Sequence, residues 1–167
     1  MAAHPGTMTT WGDFAREAPD LAQRVQARFD QTGLALVATL RADGSPRVSG
    51  WEPLFADGEI WLGSMAGSRK NADLRRDPRL TLHNATTDKD AKAGDASIGG
   101  RAVEVTDDDA KAAFVLAFKQ ATDFDVPTPF DLFRVEPSRV SMLSPGGDHL
   151  VIEWWRPGQV VERVERR

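Results

Sequence analysis

A chain of 167 residues, 41% hydrophobic and 28% charged, has the makeup of one globular domain with its own core. Its 21 Lys and Arg against 25 Asp and Glu leave a net charge of −4, which gives no footing for a nucleic-acid surface, and the lack of cysteine excludes disulfides, thiolate metal sites and cysteine nucleophiles. No apolar run approaches the ~20 residues of a membrane span, and the opening MAAHPGTMTT lacks the charged and apolar segments of a signal peptide, so a cytoplasmic location is expected.

Residues 1–9 are small and polar and are expected to be a disordered lead-in to a single domain over residues 10–167. Thr10 and Asp13 have the spacing of a capping box, which predicts a short helix from Trp11. Pro19 suits the first turn of a second helix ending near Gly33, with Leu21, Val25 and Phe29 on one apolar face. From Leu34 the apolar period changes from 3.6 to 2. Strands are predicted over residues 34–40, 46–54 and 59–65, joined by hairpins at Asp43-Gly44 and Asp57-Gly58.

Residues 66–79, AGSRKNADLRRDPR, come next. Ser68 is a good N-cap and Pro78 a stop, so a helix is predicted over residues 69–77. Arg69 and Lys70 then fall in its first turn, where the unpaired N–H groups and the macrodipole are already positive. Either both cations point into water, or an anion such as phosphate accepts from the helix N-terminus, the Ser68 hydroxyl and both side chains. Arg75 and Arg76 lie in the last turn, which favours cations and asks for no ligand.

A strand is predicted over residues 79–84, a mobile loop over 86–96, and a strand over 97–105 in which Gly99-Gly100 marks a bulge or a close backbone contact. Thr106 is expected to cap a packed helix with Ala110, Phe114 and Phe118 on one line and Ala113, Ala117 and Ala121 on another. Residues 132–135 and 140–143 read as a strand pair interrupted by Pro137. A turn at residues 145–148, a strand over 150–155 and an edge strand in the tail complete the chain. About seven short strands and two or three helices suggest a small closed barrel, mainly β with flanking helices.

Side-chain catalysts are sparse. His4, His83 and His149 are far apart, with none in zinc-ligand spacing, and no metal site is expected. Redox chemistry would therefore have to come from a bound cofactor.

The two Asp-Gly hairpins, Gly67-Ser68-Arg69-Lys70 opening a helix, and LRRDPR before a strand together resemble the FMN-binding split-barrel family whose namesake is pyridoxamine 5′-phosphate oxidase. Its relatives include general stress proteins and reductases using the deazaflavin F420. The resemblance implies an antiparallel split β-barrel of Greek-key type, and a homodimer with the cofactor between two barrels. It also implies hydride transfer to or from a small conjugated substrate on FMN, with F420 as the alternative. By the same resemblance Arg69, Lys70 and Arg47 grip the cofactor phosphate with Ser68. Val48, Ser49, Gly50, Trp51, Glu52 and Ser64 line its ring and ribityl chain, Trp51 having barrel packing as an equal alternative. A non-enzymatic FMN, F420 or haem carrier is the competing function.

Two features differ from the namesake oxidases, which place an Arg-x-His pair after a turn like Gly146 to His149 and use a tyrosine on the substrate phosphate. Leu150 and Ile152 stand at those two positions here, and the chain has no tyrosine, so vitamin B6 oxidation is not expected. The Trp154-Trp155 pair, costly to leave in water, supports the dimer expectation, the alternative being that one of the two faces the chain's own core and the other is exposed.

Overall fold

The computed structural model describes residues 9–87, 89–90 and 92–167, so His4 and all but the last residue of the expected lead-in lie outside the described residues. Thr10 caps the first helix, α1 (Trp11–Glu17), and its hydroxyl and backbone N–H exchange hydrogen bonds with Asp13 as the capping box requires. The second, α2 (Pro19–Asp30), buries Leu21, Ala22, Val25 and Phe29. Nine strands follow among the described residues: β1 (Ala35–Leu40), β2 (Pro46–Trp51), β3 (Pro53–Ala56), β4 (Glu59–Met65), β5 (Arg79–Asn84), β6 (Asp95–Val105), β7 (Phe130–Pro145), β8 (Leu150–Trp155) and β9 (Glu162–Arg166). Helices α3 (Arg69–Arg76) and α4 (Asp108–Thr122) interrupt them.

Every strand pair is antiparallel, in the order β2-β1-β5-β6-β7-β4-β3, with β8 and then β9 added on β7. The sheet curls because β6 and β7 are long and bent, and β2 returns against β4. The result is the expected antiparallel barrel. Its interior holds Val37, Ile60, Leu62, Leu82, Ile98, Val135 and Val140, and α1 and α2 close one side with Phe14, Val25 and Phe29.

Four departures from the predicted elements have local causes. The strand expected over residues 46–54 is two strands, because β2 pairs with β1 whereas β3 pairs with β4, and the chain changes partners at Glu52. Pro137 does not end a strand. It lies opposite Gly100, where the β6–β7 register shifts, so its missing N–H falls at a bulge that needs no ladder bond there. Gly100 is required at that point, since an added Cβ would sit 2.2 Å from the Glu136 carbonyl oxygen. The cap of α4 is Asp107 rather than Thr106, its Oδ1 accepting from the Ala110 N–H at 2.8 Å. Finally, Phe114 is the one fully buried residue of α4, with Ala117 and Phe118 packed partly buried beside it, while Ala113 and Ala121 of the predicted alanine line are exposed.

β1 alternates with period 2, Ala35, Val37 and Thr39 facing the core and Leu36 facing outward. Trp155 is buried against Phe14, with ring centroids 4.8 Å apart, and its indole N–H donates to Glu17 at 2.9 Å. Trp154 is half-buried and donates to Glu162 on β9. No described helix is long and apolar enough to cross a membrane.

Candidate functional site

Helix α3 packs against β1, and its placement decides the site. Ser68 is the N-cap as predicted, its Oγ accepting from the Asn71 N–H at 3.4 Å. The turn before it is tied down from β7. Asp131 accepts from the Gly67 N–H at 3.2 Å and from the Asn71 side-chain amide at 2.7 Å, and pairs with Arg75 at 3.0 Å. Burial pushes the Asp131 carboxyl up, but the hydrogen bonds from Asn71, Arg75 and Gly67 outweigh it and hold it below its ordinary value. The carboxylate stays charged and fixes where the helix begins.

On its other side α3 presents residues 69, 72, 73 and 76, spaced as one helical face, to the start of β2 and the β1–β2 hairpin. Between them lies a groove of about 400 Å³ bordered by Arg41, Arg47, Arg69, Arg76, Asp43 and Asp73. Asp73 is the buried organiser. Its Oδ2 accepts from Arg47 Nε at 2.5 Å and from the Thr39 hydroxyl at 3.1 Å, while Oδ1 pairs with Arg76 at 3.2 Å. Burial raises its carboxyl pKa, yet the bonds from Arg47, Arg76 and Thr39 bring it below the ordinary value. Arg76 also donates to the Leu40 carbonyl and Arg41 to the Pro46 carbonyl. Arg69 is exposed and, among the described residues, its side chain makes no hydrogen bond or ion pair. Three arginines are thus held by the protein, and the fourth is free to take an anion.

Lys70 does not share this groove. Its ammonium lies 3.9 Å from the centre of the Trp51 ring and donates to the Gly50 carbonyl at 3.1 Å. Burial lowers its pKa, and the nearby Glu52 charge raises it in part. Trp51 is 3% exposed and belongs to the main core, so its side chain is barrel packing, with the ring covered by Lys70 and its N–H 3.3 Å from Ser49 Oγ.

The other expected residues divide by strand face. Arg47, Ser49 and Trp51 point toward α3, whereas Val48 and Gly50 lie on the outer face of β2, where Val48 is 65% exposed. Ser64 Oγ stands 3.3 Å from Ser68 Oγ, placing two hydroxyls at the helix N-terminus. Glu52 is exposed at the break between β2 and β3. The arrangement therefore brings Arg47 together with Arg69, Ser64 with Ser68, and Lys70 with Trp51 and Gly50. It adds Arg41, Arg76, Asp73 and Asp131, which the sequence reading passed over. Asp73 had a readable signal, being the acid three residues before Arg76 and four after Arg69 on a basic helix.

What such a site can do is bind and orient an anion. A helix N-terminus, two hydroxyls, a free arginine and a second arginine held in place fit a phosphate-bearing cofactor. No cluster of His, Asp and Glu suited to a metal occurs among the described residues.

Comparison with known proteins agrees with this reading of the fold. A pyridoxamine 5′-phosphate oxidase family profile matches residues 21–144. No curated protein matches the chain. Among solved structures, a conserved hypothetical protein of Mycobacterium tuberculosis is similar at 23% identity and TM-score 0.62, over 72% of this chain and 82% of that one. A pyridoxamine 5′-phosphate oxidase-related, FMN-binding protein of Nostoc punctiforme is similar at 13% identity and TM-score 0.63, over 90% of this chain and 96% of that one. A heme-binding protein of Mycobacterium smegmatis is similar at 19% identity and TM-score 0.56, over 84% of this chain and 57% of that one. At these identities the likenesses speak for the fold.

Proposed function

The chain belongs to the pyridoxamine 5′-phosphate oxidase family, and on that premise we propose that it binds FMN and serves as an oxidoreductase on a small conjugated molecule. The observation that carries this reading is the free Arg69 beside the Asp73-anchored Arg47, at a helix N-terminus that presents Ser64 and Ser68. Arg69 and Arg47 hold the phosphate, the Ser68 and Ser64 hydroxyls donate to its oxygens, and Lys70 supplies further positive charge from the Trp51 side. Bound flavin supplies hydride transfer. The protein's share is to grip the phosphate and to orient the ring by the backbone of β2.

Two copies of the chain are proposed to assemble through the outer face of β1 and β2, where Leu36 is 48% exposed beside Val48. Trp155 takes no part, being in the chain's own core. Light scattering at micromolar concentration is expected to give twice the chain mass, and a monomer would count against the assembly.

The function is tested by an absorption spectrum of the purified protein and titration with FMN, F420 and haem. Saturable FMN binding and multiple-turnover reduction or oxidation of an acceptor are expected, without pyridoxal phosphate production because Leu150 and Ile152 replace the charged pair of the namesake oxidases. A second reading, a carrier without turnover, is supported by the heme-binding neighbour. Tight binding with no turnover across a broad acceptor panel would favour it, and F420 binding in preference to FMN would move the cofactor assignment to the deazaflavin.

A further inference from the structure

A second cavity, of about 320 Å³, opens between β4, α4 and the segment that leads into β7, and it shares no lining residue with the arginine groove. Its size falls within the range of small-molecule pockets. Phe114, Phe118, Phe124 and Phe130 line it. Phe114 lies 5.6 Å from Phe118 and 5.9 Å from Phe130 between ring centres, so the walls are ring faces and edges. Gly63 makes room for this arrangement, because a Cβ there would come within 2.8 Å of Phe114 Cζ. Phe124 is 73% exposed, a large apolar ring left open to solvent at the cavity's edge.

The ionisable residues bordering the cavity are Glu52 and Asp125, and both are acidic. Asp125 is balanced by Lys119 at 3.3 Å. Lys111 lies 4.8 Å from the Phe130 ring centre, and its charge is engaged there. Glu52, by contrast, makes no side-chain hydrogen bond or ion pair among the described residues, and the nearby Lys70 ammonium is turned to the Gly50 carbonyl and the Trp51 ring. The cavity thus offers aromatic faces and one carboxylate with no side-chain hydrogen bond or ion pair, its charge offset in part by the nearby Lys70. An anion entering it would lose water with no cation lining the wall to replace it, while a cation would meet Glu52 and the phenyl faces.

We propose that this cavity binds a planar aromatic molecule carrying a positive charge, and that such cations are the substrate class of the site. The substrate assignment rests on the oxidoreductase reading above, whereas the binding preference stands on the cavity itself. Ser64 borders this cavity and also touches Ser68, which puts it at the junction of the ring-lined space and the phosphate cradle.

The test uses calorimetric titration of the full chain, with and without saturating FMN, against naphthalen-1-ylmethylammonium and 1-naphthoate, a pair matched in ring and opposite in charge. The ammonium is expected to bind about fivefold or more tightly than the carboxylate at low salt, and Glu52→Gln should remove most of that difference. Thermal melting of the variant checks that the fold is kept. Equal or tighter binding of the carboxylate, no binding of either probe, or an undiminished preference in Glu52→Gln would overturn the proposal. FMN binding measured on the same samples separates the two readings. If FMN binds and the charge preference is absent, the cavity assignment fails alone. If the preference is present and FMN does not bind, the cofactor reading fails and the cavity assignment holds.

Discussion

Replacing Arg69 and Lys70 together by glutamine is expected to weaken FMN binding by at least tenfold while leaving riboflavin affinity almost unchanged. Charge-assisted contacts of Arg69 to a phosphate are worth ~1.5 to 3 kcal/mol, so their loss alone would reach about tenfold to a hundredfold, and Lys70, turned to the Gly50 carbonyl and the Trp51 ring, adds only longer-range charge. Riboflavin lacks the phosphate and never makes those contacts. The same variant should change ligand-free stability little, because relief of the charges from the positive helix end and of Lys70 from desolvation offsets the loss of its contacts with the Trp51 ring and the Gly50 carbonyl. The favourable share of that balance comes from the lysine. Its pKa in the folded state is below the unfolded value, so its charged form costs stability at neutral pH, and that cost fades only as the pH rises through the folded value. Titration of both ligands at low and moderate salt, with a urea melt of both proteins, checks the prediction. Equal loss for the two ligands would mean damage to the fold, and no loss for either would return the pair to the solvated surface.

An Asp73→Ala substitution is expected to lower stability by about 3 kcal/mol at pH 7, because removing one partner of a buried ion pair leaves the others uncompensated. The value sits at the low end of that class since Arg47 and Arg76 both reach solvent, whereas Thr39 is left with a buried hydroxyl and no carboxylate to donate to. The pH dependence follows from a folded carboxyl pKa that lies below the unfolded one. Its contribution is complete above the unfolded value of ~3.9 and is lost as the pH falls through the lower folded value. The gap between parent and variant should therefore be full at pH 7 and shrink below pH 4. Urea unfolding at both ends of that window measures it, and a parent and variant of equal stability at pH 7 would remove Asp73 from its place as organiser of the groove.

Local signals in this sequence carried much of the fold. The capping box at Thr10 and Asp13, the two Asp-Gly hairpins and the Ser68 to Pro78 bracket each depend on a few adjacent residues, and each element formed as read. Pro137 was read wrongly because its meaning lies across the sheet. A proline inside a strand is tolerated when a bulge opposite removes the need for its N–H, and Gly99-Gly100, which signalled that bulge, is almost forty residues away. The division of β2 and β3 escaped for a related reason, since nothing local says that a strand changes partners at Glu52.

The candidate site was legible in part. Arg69 and Lys70 stood out because both sit against the helix dipole, but residues one position apart on a helix diverge by about 100°. They accordingly face different neighbours, Arg69 the arginine groove and Lys70 the Trp51 ring. Arg76 had a sufficient local explanation in the last turn, which concealed its place beside Asp73. Arg41 sits in a hairpin turn that carries no chemical signal of its own. Asp131 could be assigned only once β7 had been laid beside β4, opposite Ser64.

The central claim, that the N-terminus of α3 and the arginines beside it hold the phosphate of a flavin nucleotide, is tested most directly by a crystal structure of the protein soaked or grown with FMN. The phosphate is expected at the α3 N-terminus, within hydrogen-bond distance of Arg69, Arg47 and the Ser68 hydroxyl, with Asp73 still holding Arg47. An FMN phosphate bound away from these residues, or a crystal that takes up no FMN at saturating concentration, would contradict it.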